Sequence, residues 1–305
     1  VAYGRVYIGS ADRRLYVFRA AGCGQSTCDP LWSGATGGGL LQGSPVVAGN
    51  VVYVASGDGK VYAFNAMGCG QRSCAPLWTG ATAAAIYSAP AVAGDVLYVG
   101  SYDHRLYAFP ASGCGQSECA PLWTGRTRSL ISGSSPAMAN GVVYIGSFDH
   151  LLYAFNAQGC GQPTCAPLWV GPTGNAIESS PSVANGMVYV GSDDARLYAF
   201  NAAGCGGTVC RPAWVGQAVG QQGAILTAPT IANGLVYVGE NNGQMIVFNA
   251  AGCGRFFCLP ITQLLTKNEP IVSSSAAILN GTVYFGSADQ LAPPTGRLYV
   301  FTVFP

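Results

Sequence analysis

The stretch Gly141-Val-Val-Tyr-Ile-Gly-Ser-Phe-Asp-His-Leu-Leu-Tyr-Ala-Phe-Asn-Ala-Gln-Gly-Cys160 decides the fold. It holds two short apolar runs, each rich in β-branched or aromatic residues, separated by a Gly-Ser-x-Asp turn. The same pattern returns along the chain, its first Tyr falling at Tyr7, Tyr53, Tyr98, Tyr144, Tyr189, Tyr237 and Tyr284. Seven copies at a period near 46 make the repeat the primary signal. A full unit adds two runs, so that Ser180–Ala184, Met187–Val190, Arg196–Phe200 and Pro212–Val215 are four expected strands. Gly or Pro interrupts every candidate helix. Four short strands per unit predict an all-β chain built as a seven-bladed β-propeller of four-stranded antiparallel blades. Residues 1–305 are expected to form one propeller domain, with repeats near 1–43, 44–88, 89–133, 134–179, 180–226, 227–272 and 273–305.

The ends of the sequence bear on the first and last blades. Val1-Ala-Tyr-Gly4 aligns with Val183-Ala-Asn-Gly186, so the chain is expected to start inside the first strand of blade one. Arg297–Phe301 is the expected third strand of blade seven, followed only by residues up to Pro305. Blades one and seven are therefore expected to be incomplete in this sequence, their missing strands coming from upstream residues or from a neighbour.

Twelve cysteines fall in six C-x4-C pairs: Cys23/Cys28, Cys69/Cys74, Cys114/Cys119, Cys160/Cys165, Cys205/Cys210 and Cys253/Cys258. Successive pairs sit 45 to 48 residues apart, on separate repeats, which argues against four-ligand zinc sites. Local disulfides are expected, each fixing a hairpin, and with them an extracytoplasmic location: secreted, periplasmic or cell-surface.

Composition narrows the function classes. Charged residues make up 9 %, against the usual figure of about 25 %, and 14 basic residues meet 13 acidic ones for a net charge of +1. No broad basic field exists for nucleic acid, and no apolar run is long enough to span a membrane as a helix. The turn residues Asp12, Asp58, Asp103, Asp149, Asp194 and Asp289, with Asn242 in the sixth repeat, are expected to stabilise turns through their own backbone. A triad base is scarce, since His104 and His150 are the only histidines, both at the same turn position. The variable connections between blades are expected to carry any specificity. There His104, Arg105, Arg126, Arg128 and His150 form the candidate ligand rim, suited to a carboxylate, a sulfate or a sugar acid. The low charge and abundant Ser, Thr, Asn, Gln and Tyr also suit contact with glycans or protein.

The string Leu197-Tyr-Ala-Phe-Asn-Ala-Ala-Gly204, followed by Trp214, resembles the blade signature of the PQQ-like propellers, the family of quinoprotein alcohol dehydrogenases and of non-enzymatic scaffolds. The resemblance covers essentially the whole chain. It implies that Ala63, Ala108, Ala154 and Ala199, with Trp32, Trp78, Trp123, Trp169 and Trp214, interlock neighbouring blades. The sixth repeat departs, with Val247 and Thr262 at those positions. The dehydrogenases of the family bind their quinone with an adjacent Cys-Cys ring, a calcium and a catalytic Asp, and this chain has no adjacent cysteines. The expectation is a protein without catalytic, cofactor-binding or metal residues: an interaction propeller serving as scaffold, sensor ectodomain or surface-assembly subunit. Its partners would be protein or a second copy of itself, with a glycan or small anion as further ligands. A quinone-dependent alcohol or sugar dehydrogenase and a carbohydrate-binding propeller are the alternatives.

Overall fold

In the computed structural model, which describes residues 1–41, 43–220, 223–266, 269–271, 274–288 and 296–302, the chain is all β, with no helix among the described residues. Its strands form seven sheets. The fifth shows the pattern: Ser182–Ala184, Met187–Ser192, Arg196–Asn201 and Trp214–Gln217 pair antiparallel in chain order. The period-2 logic of a strand explains the sequence, with one difference from a half-solvated sheet. Residues 188–191 and 197–200 are buried on both faces, so the runs read as continuous Val-Tyr-Val-Gly and Leu-Tyr-Ala-Phe. Asn-Gly turns join the first two strands because both positions take positive φ, 51° at Asn185 and 74° at Gly186.

The structure adds a feature to the expected antiparallel sheets. Four sheets gain a two-residue parallel strand from the next repeat, contributed by the end of its bridged loop. Ser73–Cys74 pairs with Trp32–Ala35, Glu118–Cys119 with Trp78–Ala81, Thr164–Cys165 with Trp123–Arg126, and Phe257–Cys258 with Trp214–Gln217. In the fourth sheet a single parallel bridge, Val170 to Val209, does the same, and Cys210 N–H donates to the Val170 carbonyl at 2.8 Å. The six disulfides all close, with S–S lengths of 1.98 to 2.16 Å. Each therefore holds a loop of one repeat, and five of these loops grip the sheet of the repeat before.

The bridges also differ from the expected local hairpin clips in where their sulfurs lie. The second cysteine of each later pair, at Cys74, Cys119, Cys165, Cys210 and Cys258, is buried, whereas Cys28 of the first pair is only partly so. Cys210 packs in one apolar cluster with Trp169 and Phe200, and Cys119 in another with Trp78 and Phe109. A half-cystine behaves as a small apolar group, so the end of the loop that touches the preceding sheet is the end that leaves water. In the first sheet Ala2 makes an isolated bridge to Arg5, and the seventh has, among the described residues, three strands, Ala277–Leu279, Thr282–Ala288 and Gly296–Thr302.

The aromatic residues build the core between successive sheets. Trp78 stands in register opposite Ala63 of its own sheet, and the same Ala–Trp pairing recurs at Ala108/Trp123, Ala154/Trp169 and Ala199/Trp214. Val17 fills that place opposite Trp32, and Val247 faces Thr262 in the sixth sheet. The indole then meets the next repeat. A Cβ on Gly113, at φ +82°, would lie 2.7 Å from Trp78, and one on Gly80 would lie 2.7 Å from buried Phe109. Only a glycine permits both approaches. Between the same two repeats, the buried Tyr53 hydroxyl donates to the Ala111 carbonyl at 2.8 Å, a bond repeated by Tyr7, Tyr98, Tyr144 and Tyr189.

By its internal contacts the chain divides into two compact units. One comprises Val1–Pro136 with Asn156–Ala166, the other Ala137–Phe155 with Pro167–Pro305.

Candidate functional site

In the first five repeats the turn between the second and third strands is a clasp. The hydroxyl of Tyr16, Tyr62, Tyr107, Tyr153 or Tyr198 donates to the carboxylate four residues earlier, at Asp12, Asp58, Asp103, Asp149 or Asp194, over 2.5 to 2.7 Å. The second carboxylate oxygen of Asp58 and of Asp149 accepts the backbone N–H two residues on, the expected Asx turn. The clasp also reaches the preceding connection. Gly37 N–H donates to the Tyr62 hydroxyl, Ala83 N–H to Asp103 and Gly174 N–H to the Tyr198 hydroxyl, so turn and connection form one end of each sheet. Burial first, and the bonded carboxylate second, push the Tyr62 and Tyr107 phenols up to about 12. The tyrosine is the partner that sequence reasoning missed, although the Asp-x-x-x-Tyr spacing was visible in five repeats. Asp289 lies outside the described residues.

The sixth repeat solves the same problem differently. Asn242 replaces the Asp, Ile246 the Tyr, and Glu240 takes the place of the usual Ser. Gly223 N–H and Asn242 Nδ2 both donate to Glu240 Oε2, while Oε1 is buried with no hydrogen-bond partner among the described residues. Full burial pushes this carboxyl up to about 7. In the seventh sheet Glu269 takes over, accepting from Ser287 and Tyr299 and pairing with Arg297 at 3.1 Å.

The rim residues divide between the units. His104 and Arg105 lie at one turn of the first unit, with Arg126 and Arg128 on the following strand and connection. Arg105 stands directly opposite Arg126 in the antiparallel register and bonds Thr124 Oγ1 at 3.1 Å. His104, at φ +67°, is exposed, and its carbonyl accepts Thr127 N–H. His150 belongs to the second unit, where its charge acts on Asp193. There the Asp193 and Glu178 carboxyls are both pushed up, first by burial and then by a neighbouring acid. Among the described residues, no group of three or more His, Cys, Asp or Glu is arranged to hold a metal ion. No helix among them is long and apolar enough to cross a membrane.

The family model of the outer membrane protein assembly factor BamB matches residues 19–159 and 117–252. The chain belongs to this family. Its fold is accordingly the PQQ-like β-propeller, with seven sheets as blades. Two solved structures agree at the level of fold. The computationally designed Ika8 protein is 15 % identical with a TM-score of 0.75, covering 99 % of this chain and 82 % of its own. BamB from Moraxella catarrhalis is 17 % identical with a TM-score of 0.67, covering 99 % and 84 %. No curated protein matches the chain. All twelve cysteines lie in bridges of sequence separation 5, none between adjacent residues.

Proposed function

We propose that this PQQ-like propeller is a non-catalytic interaction module working outside the cytoplasm, as a scaffold, sensor ectodomain or surface-assembly subunit. The observation that carries the reading is the set of six disulfides, each in a loop of the same repeat position. Persistent bridges belong to oxidising compartments. Five of the six close loops that pair with the sheet of the preceding repeat, so the bridges shape the contacts between sheets. Five turn carboxylates at this end are held in tyrosine clasps, which supports a rigid frame for binding. Resemblance to an outer membrane protein assembly factor supports a protein partner.

Within this reading the first unit's part of the rim, His104, Arg105, Arg126 and Arg128, is the proposed contact for a small anion or an acidic glycan. Arg105 opposite Arg126 supports it, since like charges facing across a strand pair repel unless an anion relieves them.

Cross-linking the oxidised chain in the envelope or extracellular fraction, then native mass measurement, tests the proposal. A discrete complex is expected. An inert monomer in that fraction would count against it, as would alcohol or sugar turnover with added quinone and calcium that chelation abolishes.

A further inference from the structure

The bridged loop of the sixth repeat differs in chemistry from the other five. Between the cysteines those five carry Gly, Gln, Ser, Thr, Arg, Pro, Glu and a single Val, whereas the sixth reads Gly254-Arg-Phe-Phe257, with Leu259 just beyond and Ile261 at a position that is Leu in four other repeats. These side chains lie outward: Phe256 is 48 % exposed, Phe257 56 %, Leu259 72 % and Ile261 50 %. Together they offer on the order of 400 Å² of apolar surface, within the range of the largest patch on a typical monomer, which is often functional.

The backbone beneath the patch is fixed. Val215 N–H donates to the Phe256 carbonyl at 2.7 Å, Phe257 pairs in register with Val215, and the Cys253–Cys258 bridge closes the loop. Phe256 and Phe257 meet edge to face with centroids 4.9 Å apart. Aromatic anchors held this way lose little entropy on binding. Beside them is a groove of ≈ 430 Å³ lined by Met187, Ala213, Trp214, Arg255 and Phe256. Equivalent grooves follow Trp123, at ≈ 460 Å³, and Trp169, at ≈ 410 Å³, but Gln162 with Pro163, and Gly207 with Thr208, stand there instead of the cation and the aromatic ring. The Arg255 side chain has no ion pair or hydrogen bond among the described residues, and its loop contains no acid.

We propose that this groove docks a partner polypeptide segment carrying a carboxylate side chain next to large apolar side chains. Arg255 meets the carboxylate, and Phe256 and Phe257 cover the apolar neighbours. The inference rests on the interaction-propeller reading and gives that reading a surface. Charge complementarity selects the occupant: exposed Arg255 offers its guanidinium fork to a carboxylate, while the rings beside it take apolar area. An anionic membrane would draw on a cluster of basic residues, whereas this loop carries one and the chain's net charge is +1.

The test uses the full oxidised chain and two labelled probe peptides, Gly-Ser-Leu-Phe-Asp-Leu-Phe-Ser-Gly and its twin with Asn for Asp, read by fluorescence anisotropy. The Asp peptide is expected to bind roughly tenfold more tightly than the twin. Arg255→Gln should erase that difference, Phe256→Ser should weaken both peptides, and Gln162→Ala at the equivalent groove should change neither. Six intact bridges and an unchanged melting temperature confirm that the variants fold. Equal affinity for the two peptides, or a preference that survives Arg255→Gln, overturns the proposal. So does loss of peptide binding to phosphatidylglycerol vesicles, or a Phe256-dependent dimer that excludes the peptide. If envelope partners are still captured by Arg255→Gln and Phe256→Ser chains, the docking site is wrong while the interaction reading stands; if the wild-type chain captures none, that reading fails.

Discussion

A hydroxyl meeting a carboxylate four residues away is the recurrent unit at the residue scale. Tyr107 donates to Asp103 Oδ2, which also accepts Ala83 N–H from the preceding connection. Tyr107→Phe removes one charge-assisted bond and leaves the other, so the expected cost is about 1–2 kcal/mol, read as a lower urea midpoint at unchanged slope. Glu240 provides the opposite case. Its folded carboxyl titrates near pH 7 because burial disfavours the charge, while the unfolded chain keeps the ordinary value near 4.5. The folded state holds the proton more tightly, so this contribution is complete below the unfolded value and is lost as pH rises through about 7. Glu178 and Asp193 act with the same sign, and comparison with a variant isolates Glu240. Glu240→Gln is expected to flatten the decline, gaining on the order of 1–3 kcal/mol at pH 8.5 and little at pH 4, as seen in urea titrations across that range.

At the scale of the element, the bridged loop couples one repeat to another. Closing so short a loop is worth about 2 kcal/mol by itself. Cys119 is buried within a loop whose Glu118–Cys119 strand pairs with Trp78–Ala81, whereas the Cys23–Cys28 loop forms no strand. Replacing both cysteines of a pair by Ala should therefore cost more at 114/119 than at 23/28, and should deprotect the Thr79 amide, which donates to the Ser117 carbonyl, in hydrogen exchange. Equal costs, with Thr79 still protected, would show that the loop stays in place without its bridge. Gly80→Ala tests the close approach of consecutive sheets. The new Cβ would lie 2.7 Å from fully buried Phe109, and overpacking of roughly 1–3 kcal/mol is expected in thermal unfolding.

On the scale of the whole molecule, the 9 % charge leaves little for electrostatics to do. The ion pairs among the described residues are few, and Lys60–Glu118, at 2.9 Å, joins two exposed side chains. Stability should thus barely change between low salt and ~0.5 M, where exposed pairs are screened. The expected single domain over residues 1–305 predicts one cooperative calorimetric transition, and two resolved transitions would assign separate folding to the two compact units.

Strand order, turn placement and the C-x4-C pairing were legible in the sequence because each is local. A two-residue turn, an apolar run of five and a loop of four between cysteines are all set within a dozen residues and repeated along the chain. The rim was only partly legible: the register of Arg105 against Arg126 follows from the strands, but which acid His150 meets does not. Tertiary structure alone decided that the Trp78 indole meets Gly113, that Tyr53 bonds Ala111, and that each later bridged loop buries its second cysteine, Cys210 among them, while serving the preceding sheet. These contacts join residues 35 to 60 positions apart in different repeats, and no periodicity within one repeat specifies what its outward face will touch. They arise because the second to sixth sheets, whose middle strands are buried on both faces, must find their cover on a neighbour.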